Sequence, residues 1–338
     1  MRRFQIRSDI TRARIGDFAL PLGLVPGDVE APRQGYVLDY VTADEHETDS
    51  YQFVITVSHE RLDDVLDALF GLLGGEVYPI IEIGSRDAYR AVDVWMAEEP
   101  MTRTQFLRKW RDYRDFLLED GAISAGANSE EPAIEVFVDH WKGINLHVPL
   151  MLREDVEMVL ARLDLEEQTD AWMTGEVSED DPGMDARPVL DLSEPDLPDV
   201  EDLLLELRDV WGLVLNVDRE RNVDDSGRPI GRTLWLALVM VLSKTDPGGG
   251  GYASVWITAG SLAEAEDFVV NAVEVAGKGA WRVEQFYSID RVAYDERPDE
   301  LSDLTPRRSE SGVHLVQFDP WPEADGPILE NRPGDPEP

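Results

Sequence analysis

The chain contains no cysteine. Disulfides, zinc–thiolate sites, iron–sulfur clusters and cysteine nucleophiles are therefore excluded, and the absence fits a reducing compartment. Lysine is nearly as scarce: Lys109, Lys142, Lys244 and Lys278 are the only four, so 27 of the 31 basic residues are arginine. No apolar run is long enough to cross a bilayer. The longest, "LWLALVMVL" from Leu234 to Leu242, falls far short of the ~20 residues a spanning helix needs. Reaction motifs are missing too, with no G-x-S-x-G elbow, no H-E-x-x-H and no EF-hand loop. The "GGGG" at 248–251 lacks the following Lys-Ser/Thr and helix of a phosphate loop, so it reads as a loop between strands.

Negative charge is abundant. Seventy acidic residues against 31 basic ones give a formal net charge of −39 over 338 residues. That charge keeps a chain soluble and repels nucleic acid and anionic membranes. It is compatible with a generally acidic proteome, with a surface that meets a basic partner, and with mimicry of a nucleic-acid backbone, and composition does not separate the three. The expected partner is a protein, with no nucleic acid and no membrane. The N-terminus is locally basic, with five arginines and one acid through Gly16, and the segment after it is broken by Asp17 and Pro21. It makes a poor signal-peptide core. The expectation is a cytoplasmic protein whose basic arm, 1–34, lies on the chain's own acidic surface.

Two acidic, proline-bearing segments divide the rest. Residues 164–206 hold sixteen acids and one base, Arg187, and 166–199 reads as a linker. Residues 306–338 read as an acidic tail. Between them lie two regions, 35–165 and 200–305. In the first, strand patterns at 51–57, 76–83 and 91–97 and a short strand at 122–125 alternate with two helices. One helix carries Leu62, Val65, Leu66, Leu69, Leu72 and Leu73 on one face, and the other carries Phe106, Trp110, Tyr113 and Leu117. The order β-α-β-β-α-β predicts a ferredoxin-like module, followed by a hairpin and a helix at 153–163. The second region reads as another sheet with helices. In it, "RTLWLALVMVL" is apolar on both faces and predicts a central strand covered on both sides. The fold class is thus α+β, with two antiparallel-sheet modules.

The most chemical-looking stretch is "EVFVDHWKGINLHVPL", 135–150. A three-residue loop Trp141-Lys142-Gly143, with Gly143 at positive φ, makes one face of the hairpin apolar. It pairs Asp139 with Asn145 and Phe137 with His147, and it puts His140 and His147 on opposite faces, so they cannot share a metal ion. Asp139 and His147 then share a face as diagonal neighbours and are the catalytic candidates for acid–base chemistry. The bland alternative is a polar sheet face. No metal site and no cofactor is expected. The binding candidates are Trp256 with Tyr252 on its face, and a cationic helix face bearing Arg103, Arg108, Lys109 and Arg111. The favoured function is a non-catalytic cytoplasmic interaction or regulatory protein. The alternatives are an enzyme using Asp139 and His147, and a small-molecule sensor with a pocket near Trp256.

Overall fold

The computed structural model describes residues 4–42, 48–169, 183–194, 197–246, 248–302 and 309–321. By its internal contacts the chain forms two units. The first comprises Met1–Gly84 and Val92–Asn216, and the second comprises Ser85–Ala91 and Val217–Pro338. The described residues form a mixed α+β protein with antiparallel sheets and five α-helices.

The first unit opens with short strands β1 (Arg14–Ile15), β2 (Phe18–Ala19) and β3 (Leu24–Pro26), then β4 (Gly35–Val41) and β5 (Ser50–Thr56). Helix α1 (His59–Phe70) precedes β6 (Glu76–Gly84), β7 (Val92–Ala97) and β8 (Met101–Thr102). Helix α2 (Arg103–Glu119) precedes β9 (Ile123–Glu130), β10 (Ala133–Val138) and β11 (Ile144–Pro149). Helix α3 (Arg153–Arg162), β12 (Met184–Ala186), α4 (Val200–Trp211) and β13 (Leu213–Leu215) complete the unit. The main sheet runs β13-β7-β6-β9-β10-β11-β5-β4, with β8 paired to β6. One face of it, including Phe53, Ile81, Ala125, Val136 and Leu146, is buried with Leu62 and Leu66 of α1, Phe106 and Trp110 of α2, Val156 and Leu160 of α3, and Leu203 and Trp211 of α4. The helix starts are set locally. Thr102 and Gln105 form a reciprocal capping box at α2, and Asp199 and Asp202 form one at α4. Ser58 precedes α1 but does not cap it, because its hydroxyl accepts from the Ala19 amide instead.

Three features differ from the sequence expectation. A ferredoxin-like order would set β5 and β7 side by side and parallel. They are separated by β6, β9, β10 and β11, and every strand pairing in the sheet is antiparallel. The hairpin β10–β11 is inserted between β9 and β5. The proposed linker 166–199 lies partly outside the described residues. Its described part contributes to the first unit: β12 pairs with β3, Ile6 bridges Leu190, and Val189 and Leu190 are buried. The division by contacts accordingly falls at Asn216–Val217, after α4. Acid-rich composition marks which side chains face water, and it hides the few apolar ones that anchor the backbone.

The second unit contains β14 (Thr233–Ser243), β15 (Gly250–Ala259), α5 (Leu262–Ala276), β16 (Trp281–Val292) and β17 (Gly312–Pro320). The sheet order is β16-β14-β15-β17. Strand β17 falls inside the segment expected to be a tail, whose remainder is largely outside the described residues. Ser261 caps α5 by accepting from the Glu264 amide. Helix α5 buries Leu262, Ala265, Val269 and Val273 against Trp235, Ala237, Val239 and Val241 of β14. Strand β14 is central, as expected, but α5 covers only one of its faces.

Candidate functional site

Side chains alternate across a strand. With Trp235, Ala237, Val239 and Val241 turned toward α5, β14 presents Leu236, Leu238, Met240 and Leu242 to the opposite face. All four are partly exposed. At one end Leu234, Trp256 and Leu301 are buried together and Leu236 packs against them. Leu238, Met240 and Leu242 belong to no buried cluster among the described residues.

The register defines what surrounds this row. Leu238 lies between Ser254 and Ser288, and Met240 lies between Tyr252 and Gln285. Leu242 lies between Gly250 and Arg282. Farther out, Gln317 and Asp319 of β17 sit opposite Ser254 and Tyr252, and Asp290 of β16 sits opposite Leu236. The aliphatic row is therefore flanked by Ser254, Ser288, Gln285 and Tyr252 at its centre and by Asp290 and Arg282 toward its ends. Tyr252 of β15 packs edge-on against Tyr287 of β16, across β14, and against Trp321, at centroid distances of 5.4 and 6.4 Å. The Trp321 ring also lies over Gly250, where any Cβ would collide with it. The glycine run at 248–251 thus leads into a strand whose second residue from the start, like its first, has no room for a side chain: at Gly251 a Cβ would come within 2.6 Å of the Asp319 carbonyl. Trp256, expected as a ligand contact, is only 9% exposed and packs in the covered end of the face.

The hairpin candidates separate. The observed register pairs Val138 with Ile144, Phe137 with Asn145, Val136 with Leu146 and Glu135 with His147. This is a shift of two residues from the expected pairing, which preserves which residues share a face but moves every partner. His147 faces Glu135 and, on β5, Gln52. Asp139 sits four residues from Glu135, roughly 13 Å along the strand, so Asp139 and His147 cannot act on one atom. Asp139 instead builds the loop. Its Oδ1 accepts from the amides of Trp141 (2.8 Å) and Gly143 (2.9 Å), and its own amide donates to the Gly143 carbonyl (2.9 Å). Positive φ falls on Lys142, at 69°, and not on Gly143.

Lys142 is the residue that sequence reasoning missed here. It is 4% exposed, and its Nζ donates to the Ile123 carbonyl at 2.5 Å. Burial pushes its pKa down to about 8, against the pull of Asp120, Asp139 and Glu119. Nearby, Glu119 ends α2 and holds the N-terminal arm. It accepts from Arg12 Nη2 at 2.6 Å, Arg12 Nη1 at 3.0 Å and the Leu22 amide at 2.7 Å, and lies 3.1 Å from His59 Nε2. Burial alone would raise the Glu119 pKa. The bonds from His59, Arg12 and Leu22 outweigh it and bring it to about 2. A cleft lined by Phe18, Thr56, His59, Leu62, Trp141 and Lys142 encloses only about 10 Å³, far below the roughly 300–1,000 Å³ typical of small-molecule sites. His59 Nδ1 and Trp141 Nε1 are buried there without a hydrogen-bond partner.

The cationic helix face also divides. Arg103 donates to the carbonyls of Gly71 (2.8 Å) and Leu73 (2.5 Å), which end α1, and Lys109 donates to the Val210 carbonyl. Arg108 and Arg111 are exposed. In the second unit a buried cluster joins residues far apart in sequence. Arg291 Nε lies 2.9 and 2.8 Å from the two Asp87 oxygens, and Nη1 donates to Asn222 Oδ1 (3.0 Å) and the Val223 carbonyl (2.5 Å). No local sequence pattern announces a pair 204 residues apart. Among the described residues no group of acids and histidines is arranged to hold a metal ion, and no helix is long and apolar enough to cross a membrane. No protein-family model, curated protein or solved structure matches this chain.

Proposed function

We propose that this chain is a non-catalytic, cytoplasmic protein-interaction protein, and that the face of the second unit's sheet turned away from α5 is its docking surface. One observation carries the reading. A chain with 70 acids leaves the partly exposed aliphatic row Leu236, Leu238, Met240 and Leu242 with no charged residue on its own strand or directly beside its centre. Such a face costs solubility unless it is covered part of the time. The use of Asp139 in a turn weighs against the enzyme reading, and the burial of Trp256 weighs against the sensor reading.

Strand addition at the β16 edge of the same sheet is less favourable. Strand β16 carries two irregularities, where Glu284 and Tyr287 lack partners on β14, and the Ala88 amide already donates to the Arg291 carbonyl. Bulges and covered edges discourage pairing with another chain. The test is a photo-crosslinking amino acid at position 240 of the full chain, in the cells that produce it, with the exposed position 267 of α5 as control. The reading expects discrete products from position 240 that Leu238→Lys abolishes. Products that persist in Leu238→Lys, or that arise equally from position 267, refute it.

A further inference from the structure

Resting on that docking reading, we infer that the partner protein anchors on this face through an arginine, whose guanidinium stacks on the outer side of the Trp321 ring and pairs with the Asp319 carboxylate.

The glycine run prepares the seat. The Trp321 amide donates to the Gly250 carbonyl at 2.9 Å, which carries the chain past the end of β17 alongside the start of β15. Gly250 pairs with Leu242, so a Cβ there would point away from α5. That Cβ would meet Cζ3 of the Trp321 ring and the two ring atoms bonded to it, Cε3 and Cη2, both at 2.6 Å. Near-equal approach to three successive atoms occurs above the face of a ring, not beside its rim. One face of the indole therefore lies against Gly250. Trp321 is nonetheless 38% exposed, and that exposure falls on its other face. Tyr252 stands beside it, its ring turned 74° from the indole plane at a centroid distance of 6.4 Å. Tyr287 braces Tyr252 from the side of β16. The result is a corner with an indole floor and a phenol wall.

Asp319 supplies the charge. It lies opposite Tyr252 and two residues before Trp321, so alternation puts its side chain on the same face. It is exposed, and among the described residues no ion pair joins it and no cation lies over the Trp321 ring. Arg282 of β16 is held by Glu284 at 2.5 Å. An exposed indole face beside an unpaired carboxylate favours a flat cation. The ring face attracts positive charge. A guanidinium is planar and weakly hydrated, stacks on such a face and offers paired N–H groups to a carboxylate, whereas a lysine ammonium makes a point contact and holds its water more tightly. The chain already uses this chemistry internally, where Arg208 lies 3.9 Å over Trp95. Trp, Tyr and Arg are also the residues that most often carry the binding energy of an interface. The net charge of −39 speeds the approach of a basic partner and opposes both nucleic acid and a second copy of this chain.

The probes are capped hexa-arginine and hexa-lysine peptides, and the target is the full-length protein labelled with 5-fluorotryptophan. The fluorine resonance of Trp321 is the one missing from Trp321→Phe. In about 150 mM salt long-range attraction is screened. Hexa-arginine is expected to shift that resonance with a Kd at least about fivefold lower than hexa-lysine, and Asp319→Asn is expected to raise the hexa-arginine Kd by about fivefold or more. Asp319→Asn keeps the shape of an exposed side chain, and the resonances of the other tryptophans report that the fold is intact. A Trp321 resonance that does not move, equal Kd values for the two peptides, or an unchanged Kd in Asp319→Asn overturns the inference. The crosslinks from position 240 judge the docking surface separately. Leu238-dependent crosslinks without an arginine preference at Trp321 would retain the surface and reject the anchor. An arginine preference without crosslinks would reject the surface and, with it, the partner's arginine, leaving a guanidinium site alone.

Discussion

Replacing Glu119 with glutamine should loosen the N-terminal arm and remove a specific part of the acid sensitivity of the first unit. The wild-type carboxylate is 13% exposed and accepts from Arg12, His59 and the Leu22 amide. Its pKa is about 2 in the folded chain, against 4.5 ordinarily. The folded value is depressed, so the stabilisation is complete above pH 4.5 and is lost as pH falls toward and through 2. A difference of about 2.5 units corresponds to about 3 kcal/mol at neutral pH. Glutamine keeps the shape but cannot ionise, and its amide group would oppose the Arg12 guanidinium. Glu119→Gln should therefore cost about 3 kcal/mol at pH 7, and the gap should narrow by about 2 kcal/mol by pH 3. Urea denaturation of both proteins across this range measures the gap, and taking the difference cancels the other carboxylates. Hydrogen exchange at Leu22 and Gly23 supplies a local reading, since their amides donate to the Glu119 side chain and carbonyl. A cost below about 1 kcal/mol at pH 7, or a gap that does not change between pH 7 and pH 3, would show that the cluster does not hold the arm.

The buried ammonium of Lys142 has the opposite chemistry, with a pKa lowered from 10.5 to about 8. Between those values the unfolded chain keeps a proton that the folded chain has lost, so the stability of the wild type relative to Lys142→Met should rise by about 3 kcal/mol from pH 7.5 to 10.5, measured by denaturation at both ends. A flat difference would place the amine in water. In the second unit, Asp87→Ala leaves Arg291 buried without its carboxylate and should cost about 3–5 kcal/mol, read from the unfolding of that unit. A change under 1 kcal/mol would be incompatible with the buried pair. In the hairpin, Asp139→Ala should cost about 1–2 kcal/mol because it strips two amides of their acceptor, whereas His147→Ala should stay within about 0.5 kcal/mol. Equal effects on the denaturation midpoint would contradict the turn assignment. Gly143→Val should also destabilise, because its Cβ would sit 2.9 Å from Asp139 Oδ2, and combined with Asp139→Ala its cost should shrink.

The local signals in the sequence were reliable where one periodicity governed them. The helical faces of α1 and α2, the cap at Ser261 and the apolar face of the 133–149 hairpin all follow from burial of one side. Burial also explains the characteristic error in that hairpin. A slip of two residues keeps every side chain on its face, so periodicity could not reject it. The hydrogen bonds of Asp139 and the left-handed backbone of Lys142 decided the register, and both act through loop geometry. The strand order was illegible for a related reason. Antiparallel neighbours can be joined by hairpins or by longer connections, and nothing within 133–149 states that it must lie between β9 and β5. Composition misled most in the acidic segments, where Val189, Leu190 and strand β17 hide among carboxylates and prolines.

The polar groups that the fold does bury bear on what kind of protein this is. Glu119, Lys142, Asp87 and Arg291 each tie a segment to a distant one: the N-terminal arm to the end of α2, the hairpin loop to the start of β9, and the 85–91 loop to β16. Without disulfides, buried charge-assisted bonds of this kind are a way to fix segments that have little apolar surface of their own. A catalytic pair needs a group left free to exchange protons with a substrate. Here Glu119 is held ionised by its partners, Asp139 is occupied by two amides, and Lys142 is held by the Ile123 carbonyl. Glu119, Asp139 and Lys142 are thus consumed in construction, while Leu238, Met240 and Tyr252 stay half-exposed at the centre of the second sheet.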